Sequence, residues 1–412
     1  MRKGLAAEPA EKFVRQAGRV SPQVARLVAL LSSVRDPRSA RGCRYHVLTI
    51  LVVALLAMVA GCNDCEAIAQ WGSSRRKWLS KFLPVGDRMP THEVYLDTLN
   101  RLDTGEVSRV LTLWVREVGQ ALGVAEEKLL NLDGKAVRAC FDRVLRKCSV
   151  HVVSLWCEEF GLVFGQTQTD AKTNELKSGQ ELLKAVNLKG TTVTADAMHC
   201  DRTTTEIIDG KQASYCIALG ANQPNLHAAA AATFANGLDP AHRPRDQFRA
   251  KVSPRAKHVD KGHGRIDTRR AWVTTDLRML PPDVLAKWPS VNALGLVCRS
   301  RFDIAKGTES NEAALFILND PKTTSAQLLA ITRGHWGVEN GLHRTLDVTF
   351  KEDEHRVRRT HAAANLTVIR KLALMILKNP AINDKKSVAL RRLRAAMEED
   401  YVLELLALRP LG

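Results

Sequence analysis

The first part of the chain has apolar residues at helical spacing. They recur every three or four positions in PQVARLVALLSSV (22–34) and in EVSRVLTLWVREVGQAL (106–122). Between these segments, VLTILVVALLAMVA (47–60) is apolar on all sides. Because a membrane span needs roughly 20 such residues, this shorter run predicts a buried helix. We therefore expect an N-terminal helical domain over residues 1–125.

From residue 129 the pattern changes to short β-type runs. LLNLD (129–133), HVVSLWC (151–157) and LVFGQT (162–167) have this character, and the last two lie close enough in sequence to form a hairpin. A helical segment at 173–188 then precedes TTVTAD (191–196). Such a strand–helix–strand crossover predicts that the last strand is parallel to an earlier one.

Further strand-like runs and a helical C-terminal part follow, which is the alternation expected of an α/β fold. Helical patterns return from about residue 323 and continue to the end of the sequence. The further strand-like runs are SYCIALG (214–220), AWVTTDL (271–277), NALGLVCRS (292–300) and ALFILN (314–319).

The charge of the chain favours a polyanionic partner. Its 412 residues carry a formal net charge of +17, and each neutralised phosphate releases counterions and adds affinity. Residues 1–46 and 241–270 each carry ten basic residues against three acidic ones. Neither block has the apolar periodicity of a packed element, so both can be solvated loops. The total charge favours contact with nucleic acid, and no membrane partner is expected.

The chain contains nine scattered cysteines, and we identify no secretory signal. We therefore expect free thiols in a reducing cytoplasm. Cys62 and Cys65 form a single CxxC pair without a second pair or a nearby histidine, which is weak support for a zinc site or a redox site.

Two aspartates end strand-like runs, Asp133 in LLNLD and Asp196 in TTVTAD. If the two strands are parallel neighbours, both carboxylates emerge at the same edge of the sheet. Crowded carboxylates are unfavourable unless a cation or a proton lies between them, and their hard oxygen atoms suit Mg²⁺ or Mn²⁺. Two such ions about 4 Å apart support phosphoryl transfer. Each aspartate alone can instead be a turn residue or a helix cap.

The segment HWGVENGLH (335–343) places His335, Glu339 and His343 four residues apart. On a helix all three share one face. The spacing does not match the His-Glu-x-x-His signature of zinc proteases, so a carboxylate site is favoured over a zinc site.

The same segment contains two glycines, each of which weakens a helix interior by about 1 kcal/mol. We expect Gly337 and Gly341 to let this helix pack closely on the sheet, and the alternative is that Val338 and Leu342 provide the packing. Trp336 is expected in the core rather than stacked on a base.

Several segments together resemble one enzyme family. The chain is similar to the DDE transposases of bacterial insertion sequences, and more narrowly to the ISAs subgroup, which includes the H-repeat-associated proteins. The segments that carry the resemblance are NLDGKAVR (131–138), KTNE (172–175), TADAMHC (194–200), GHGRIDTR (262–269) and HWGVENGLHRTLDVTFKEDEHRVR (335–358). Stretches at 36–62 and 391–406 fit the same subgroup.

The resemblance implies an α/β fold with a ribonuclease-H-like mixed sheet. The catalytic domain would occupy residues 126–380 and carry a β-rich insertion at about 212–320. The DNA-associated helical domain at 1–125 would precede it, and a C-terminal helical tail would occupy 381–412.

The resemblance also assigns functional residues. Asp133, Asp196 and Glu339 match the catalytic, metal-binding acids of the family, which use Mg²⁺ or Mn²⁺. Asp347 is the alternative third acid, and the acidic run at 351–354 is expected to be solvated. The candidate DNA contacts are Lys135, Arg138, Lys172, Arg265, His335, His343, Arg344 and Lys351.

Two positions depart from the family pattern. Ala221 stands where relatives carry a basic residue, and Asp201 stands where they carry glutamine. Asn222 and Gln223 follow a strand-like run and are candidates for positioning the DNA or the metal-bound acids.

The resemblance implies a transposase that binds the terminal repeats of an insertion sequence, cleaves the DNA strand and joins it to target DNA. Its partner would be double-stranded DNA, with a homodimer in the active complex and a cytoplasmic, nucleoid-associated location in a bacterium. The alternatives are a DNA-binding protein that has lost catalysis and a metal-dependent nuclease on the same fold.

Overall fold

The structure is a computed structural model of the 412-residue chain. It describes residues 10–20, 22–39, 43–121, 129–136, 141–142, 147–148, 151–157, 161–169, 175–239, 250–262, 264–354, 357, 360–379, 382 and 385–406. The chain divides into two compact units. Unit 1 comprises residues 1–125, 134–178 and 339–412, and unit 2 comprises residues 126–133 and 179–338.

Helices and strands have the following bounds. The helices are α1 (Ala10–Gly18), α2 (Pro22–Leu31), α3 (Val47–Val59), α4 (Cys65–Ser74), α5 (Arg76–Leu79), α6 (His92–Arg101), α7 (Thr104–Ala121), α8 (Glu175–Ala185), α9 (Arg202–Gly210), α10 (Pro224–Leu238), α11 (Pro282–Leu285), α12 (Ser325–His335), α13 (Arg344–Val348), α14 (Thr360–Leu377), α15 (Val388–Met397) and α16 (Glu399–Leu405). The strands are β1 (Leu129–Ala136), β2 (Phe141–Asp142), β3 (Lys147–Cys148), β4 (His151–Cys157), β5 (Leu162–Thr169), β6 (Thr192–Ala195), β7 (Ser214–Leu219), β8 (Ala256–Gly262), β9 (Arg265–Thr274), β10 (Ala293–Asp303) and β11 (Thr308–Leu318).

Unit 1 is mainly helical. Every residue of α3 is buried, as the apolar run predicts, and α14 packs against α3, α6 and α7. The buried amide of Asn365 on α14 donates hydrogen bonds to the carbonyls of Leu99 and Leu102 at 2.8 and 3.0 Å, which ties α14 to the end of α6. In the described part of the chain, no helix has both the length and the apolar character needed to cross a membrane. The strands β4 and β5 form the predicted antiparallel hairpin in this unit.

In unit 2, seven of the described strands form a mixed sheet. The strand order there is β1-β6-β7-β11-β10-β9-β8. The first three are mutually parallel, and the others pair antiparallel. The parallel pairing of β1 with β6 confirms the crossover prediction.

Helix α12 packs on the sheet of unit 2 and determines where its last residue, His335, lies. The helix begins with a capping box between Thr324 and Gln327. Leu328 of α12 packs against Gly295 of β10. A Cβ added at Gly295 would lie 2.8 Å from this leucine, so the glycine leaves the space that Leu328 fills.

The described parts of the two basic blocks contain packed elements and are not simply solvated loops: α2 lies in the predicted helical segment 22–34, whereas α1, β8 and the start of β9 were not predicted. Residues 1–46 include α1 and α2, and Phe13 and Ala17 of α1 are buried. Residues 241–270 include β8 and the start of β9, and these strands are joined across the ladder by the ion pair between Asp260 and Arg269. These strands carry polar or charged side chains on both faces, so their sequences lack the alternation of apolar and polar residues that indicates a half-buried strand. The helices α9 and α10 were not predicted either.

Candidate active site

Asp133 on β1 and Asp196, which follows β6, lie side by side in unit 2. Strand β1 continues to Ala136, so Asp133 does not end its strand as the sequence predicted. Leu132 on β1 is the register partner of Ala195 on β6, so Asp133 and Asp196 each come one residue later on neighbouring parallel strands. Adjacent strands are about 4.8 Å apart. The structure thus brings together the first two predicted acids at one edge of the sheet.

Asp196 is held by a hydrogen-bonded histidine. The Nε2 atom of His335 lies 3.2 Å from Oδ1 of Asp196, and its Nδ1 atom lies 2.9 Å from Oγ1 of Thr194. The hydrogen bond and the charge of His335 outweigh burial and hold the pKa of the Asp196 carboxyl below its usual range. His335 was predicted to contact DNA phosphates, and the structure engages both of its ring nitrogens within the protein.

A second histidine, His199, was not predicted to be functional. It is 1 % exposed and follows Asp196 in a short 3₁₀ turn. Burial lowers the pKa of its ring, although the carboxylates of Asp196 and Asp133 act in the opposite direction. A Cβ added at Gly179 would lie 2.9 Å from Cε1 of His199, so this position leaves space for the ring. The motif TADAMHC contains His199, but its sequence gives no signal of burial beside two aspartates.

Two side chains after β7 support the turn that follows Asp196. Nδ2 of Asn222 donates to the carbonyl of Ala197 at 2.8 Å, and Nε2 of Gln223 donates to the carbonyl of Cys200 at 3.0 Å. The structure is therefore consistent with their expected role in positioning the acids.

Asp201 caps α9. Its carboxylate accepts a hydrogen bond from the backbone N–H of Thr203 and another from Nε2 of Gln180, each at 2.9 Å. The departure from the family pattern at this position thus has a structural role in this chain.

Glu339 and His343 lie in unit 1, on a π-helical segment that spans Val338–His343. A carboxylate oxygen of Glu339 and a ring nitrogen of His343 are within 4.8 Å of each other. Glu339 is exposed, whereas His343 is buried, which does not favour the predicted phosphate contact of His343. Single π-helical turns are frequent at functional sites.

Gly341 does not require a close approach, whereas Gly334, which was not predicted, does. A Cβ added at Gly341 would meet Nζ of Lys378 at 3.4 Å, which is an ordinary contact. In unit 2, a Cβ added at Gly334 would lie only 2.3 Å from Cδ2 of Leu129 on β1. Gly334 therefore permits the close packing of α12 on β1.

Lys135 is ion-paired within unit 1. Its ammonium donates to Glu352 at 3.0 Å and also to Asp347. Burial alone would lower the pKa of Lys135, but Glu352 and Asp347 raise it above its ordinary value. The predicted phosphate contact of Lys135 would have to compete with these two carboxylates.

The acidic run at 351–354 is not fully solvated, contrary to expectation. Glu352 is 0 % exposed, because Lys135 and Arg370 neutralise it inside unit 1. The flanking side chains of Lys351 and Glu354 are exposed and form an ion pair of 3.5 Å.

The remaining predicted DNA contacts differ in their surroundings. Arg265 at the start of β9, Arg344 at the start of α13 and Lys351 are exposed. Arg138 and Lys172 lie outside the described residues.

Trp336 was expected in the core, and this prediction is wrong. Its side chain is 61 % exposed, and the guanidinium of Arg299 lies 5.6 Å from the ring centroid. The residue lies just after the end of α12, where the helix no longer packs on the sheet.

The CxxC pair does not have the features of a reactive thiol site. Burial raises the pKa of Cys62 to about 11 and that of Cys65 to about 12. Both are therefore thiols at neutral pH, whereas zinc ligands and redox nucleophiles are thiolates.

Comparison with known families confirms the resemblance that the motifs indicate. Residues 125–376 match a family described as the transposase DDE domain, and residues 28–115 match a domain described as DDE_Tnp_1-associated.

Individual relatives agree with this match. A putative transposase YncI of Escherichia coli O157:H7 is 26 % identical over 92 % of this chain and 94 % of its own length. The H repeat-associated putative transposase YhhI of Escherichia coli K12 is 26 % identical over 93 % of this chain and 98 % of its own length. Among solved structures, a piggyBac transposase synaptic complex with hairpin DNA aligns with a TM-score of 0.41 and 9 % identity, over 98 % of this chain and 79 % of that one.

Proposed function

We propose, since this chain belongs to the DDE transposase family and is a DNA-cleaving and strand-transferring enzyme, that Asp133, Asp196 and Glu339 are its catalytic acids. Together they would hold divalent cations, and Mg²⁺ is the ion that we propose. The observation that carries the proposal is the register that sets Asp133 beside Asp196, each one residue beyond the last paired positions of two parallel strands.

The position of Glu339 in the sequence supports its inclusion. It comes only four residues after His335, whose ring contacts Asp196. This short separation along the chain supports Glu339, rather than a more distant acid, as the third member of the set. We propose that His343, which lies beside Glu339, supports this third acid.

The donor atoms fit a hard divalent cation. The proposed ligands are carboxylate oxygens, which Mg²⁺ prefers, and the Asp196 side chain is exposed enough for an ion and a DNA phosphate to reach it. In such a site the cations stabilise the charge that develops on the attacking and leaving oxygens. The protein side chains orient the acids: His335 holds Asp196, and the buried ring of His199 interacts electrostatically with both aspartates.

Exposed residues of unit 2 suit a DNA strand. We propose that Trp336 offers an aromatic face on which an unpaired base stacks, with Arg299 beside it. Arg265, and Arg344 and Lys351 of unit 1, would contact phosphates. These contacts would be to terminal repeats of the element and to target DNA.

The parallel β1–β6 pair, the β4–β5 hairpin and the antiparallel strands β8–β11 support a ribonuclease-H-like catalytic domain at 126–380 with its β-rich insertion at about 212–320. We propose that the helical domain at 1–125 holds DNA and that a tail at 381–412 completes the chain. We further propose a homodimer on paired DNA ends and association with the bacterial nucleoid.

Cleavage of a labelled duplex that carries the element's own end tests the proposal. With Mg²⁺ or Mn²⁺, the wild type should cut at the end, and Asp196→Ala and Glu339→Gln should abolish cutting while DNA binding is kept. Glu354→Gln, which changes an exposed acid, should cut like the wild type. Cleavage that survives Glu339→Gln would contradict the assignment of the third acid, and Asp347 would be examined next. End binding without any cleavage by the wild type would indicate a chain that has lost catalysis.

A further inference from the structure

A chain of hydrogen bonds leads from the interior of unit 2 to Asp196. Nδ2 of Asn131 donates to the carbonyl of Gly334 at 3.2 Å, which leaves the amide oxygen as an acceptor. The hydroxyl of Thr194 donates to this oxygen at 2.6 Å. Since that hydroxyl has used its only hydrogen, it accepts from Nδ1 of His335 at 2.9 Å. The ring therefore donates from Nδ1–H to Thr194, and its contact with the Asp196 carboxylate, which can only accept, is a hydrogen bond donated by Nε2–H at 3.2 Å.

The same residues occupy matched positions in the two strands. Asn131 and Thr194 are register partners, and each precedes its aspartate by two residues on the same face of its strand. Both are almost completely buried. The polar pair therefore sits one step behind the two carboxylates, where it has no contact with solvent.

We propose that Asn131 and Thr194 are positioning residues, which orient His335 and through it hold the Asp196 carboxylate for the cation. This proposal rests on the proposed function of Asp196. Groups that orient metal-ligating side chains typically change metal affinity or activity by 10–100-fold when they are removed.

Two substitutions of nearly equal size separate this role from packing. Thr194→Ser keeps the hydroxyl, and Thr194→Val keeps the shape without it. We expect Thr194→Ser to need the wild-type Mg²⁺ concentration for half-maximal end cleavage, and Thr194→Val to need at least about tenfold more. DNA binding should be the same in both.

A readout that does not depend on activity is the ¹⁵N spectrum of His335 in the metal-free protein, assigned by comparison with His335→Gln. We expect a hydrogen on Nδ1. A ring with a bare Nδ1 would overturn the proposal, and so would a wild-type Mg²⁺ dependence in a folded Thr194→Val. If Asp196→Ala is fully active, the proposed function fails instead. The two failures are therefore distinguishable.

A different observation concerns helix α15 in unit 1, which turns its charged face inward. Nη1 of Arg391 donates to the carbonyl of Leu377 at 2.6 Å, and Nη2 of Arg392 donates to the carbonyl of Met58 at 2.9 Å. The guanidinium of Arg392 also lies 4.1 Å from the ring centroid of Phe350. These arginines satisfy carbonyls at the ends of α14 and α3, so the apolar side of α15 faces outward.

The outward side of α15 forms an apolar stripe of three residues. Leu390 and Leu393 are each 53 % exposed, and Met397 is 71 % exposed. Their spacing of three and four places them on one helix face. Exposed lysines at 385–386 precede the stripe, and acids at 398–400 follow it.

We infer that this stripe pairs with the same stripe of a second copy of the chain, in an antiparallel arrangement about Leu393. That arrangement sets Leu390 close to Met397 of the second copy and brings the basic residues before each stripe to the acidic residues after the other. A parallel arrangement would instead set like charges together. The inference specifies the surface of the homodimer that we propose above.

The size of the stripe determines where pairing is expected. A helix of ten residues is about 15 Å long, and two such faces bury less than the roughly 1,200 Å² of a stable interface. We therefore expect pairing in complexes in which DNA ends hold two copies together.

Cross-linking of the full chain on end DNA with a short bis-maleimide tests the surface. Leu393→Cys, on the two-fold axis, should give a covalent dimer beyond the wild-type background. Leu390→Cys alone and Met397→Cys alone should each give little cross-linked dimer, because each of these residues faces the other one in the second copy. A mixture of the two variants should cross-link. A Leu393→Cys protein that stays monomeric on DNA would overturn the inference, as would equal cross-linking of all three variants. A dimer seen by sizing without the Leu393→Cys cross-link would leave the homodimer intact and place it on another surface.

Discussion

Replacing Glu352 by glutamine removes the negative charge at the centre of a buried ionic cluster. Glu352 is 0 % exposed and lies 3.0 Å from the ammonium of Lys135 and 3.8 Å from the guanidinium of Arg370, which is itself 0 % exposed. The amide of glutamine fits the same space but leaves these cations without their main counter-charge.

The structure gives the magnitude of this change. Removing one partner of a buried ion pair costs about 3–5 kcal/mol, because the other charge stays desolvated. For a cooperative unit of roughly 240 residues, each kcal/mol lowers the melting temperature by about 2–4 °C. We therefore expect Glu352→Gln to melt at least about 6 °C below the wild type.

The pH dependence follows from the pKa of Glu352. Burial would raise that pKa, but the charges of Lys135, Arg370 and Lys371 outweigh burial and lower it in the folded state. The contribution is therefore present above the unfolded pKa of about 4.3 and is lost as the pH falls through the lower folded pKa. The stability difference between wild type and Glu352→Gln should be constant from pH 7 to about 5 and shrink in more acidic solution.

Thermal unfolding followed by far-ultraviolet circular dichroism measures this difference. The matched control is Glu354→Gln, two residues away, where an exposed ion pair with Lys351 is worth at most about 1 kcal/mol. If Glu352→Gln and Glu354→Gln melt within 1–2 °C of each other, which is roughly the experimental spread, the cluster does not stabilise unit 1 and the reasoning is refuted.

Other substitutions test the proposed DNA contacts and the packing of α12. Arg344→Ala should reduce the salt dependence of DNA binding by about one phosphate contact, while the exposed Lys306→Ala should not, as measured by titration at several salt concentrations. Trp336→Ala should weaken binding of an end with unpaired bases by about 1–3 kcal/mol without lowering the melting temperature, and equal affinity in fluorescence anisotropy would contradict stacking. Gly334→Ala should lower end cleavage, because its Cβ would lie 2.3 Å from Leu129 and push α12 off β1, and unchanged turnover would show that the helix accommodates the methyl group.

Periodicity predicted the elements whose burial is one-sided or complete. The apolar run of α3 and the largely apolar strand β4 fall where the pattern places them, and β6 follows from its β-branched residues. It failed for β8 and the start of β9, where alternating positions are mostly charged on both faces. Their ladder is supported by cross-strand ion pairs such as Asp260–Arg269, which no hydrophobic pattern reveals.

Sequence reasoning about the candidate site also succeeded where local patterns decide the structure and failed where distant partners decide it. The side-by-side positions of Asp133 and Asp196 followed from the crossover, because β1 and β6 are parallel neighbours. The burial of Glu352 and the exposure of Trp336 did not follow, because each depends on a partner distant in sequence. The ion pairs of Lys135 are of this kind, joining residues more than 200 positions apart.

The central claim is that Asp196 and Glu339 bind the catalytic cation directly, and a change of ligand atom tests it. End cleavage by Asp196→Cys and Glu339→Cys should be lost in Mg²⁺, which avoids sulfur, and partly restored in Mn²⁺, which accepts it. The same exchange at exposed Glu354 should leave cleavage in Mg²⁺ at the wild-type rate. Restoration by Mn²⁺ in both site variants would establish the contact. Full activity of either site variant in Mg²⁺ would contradict the account.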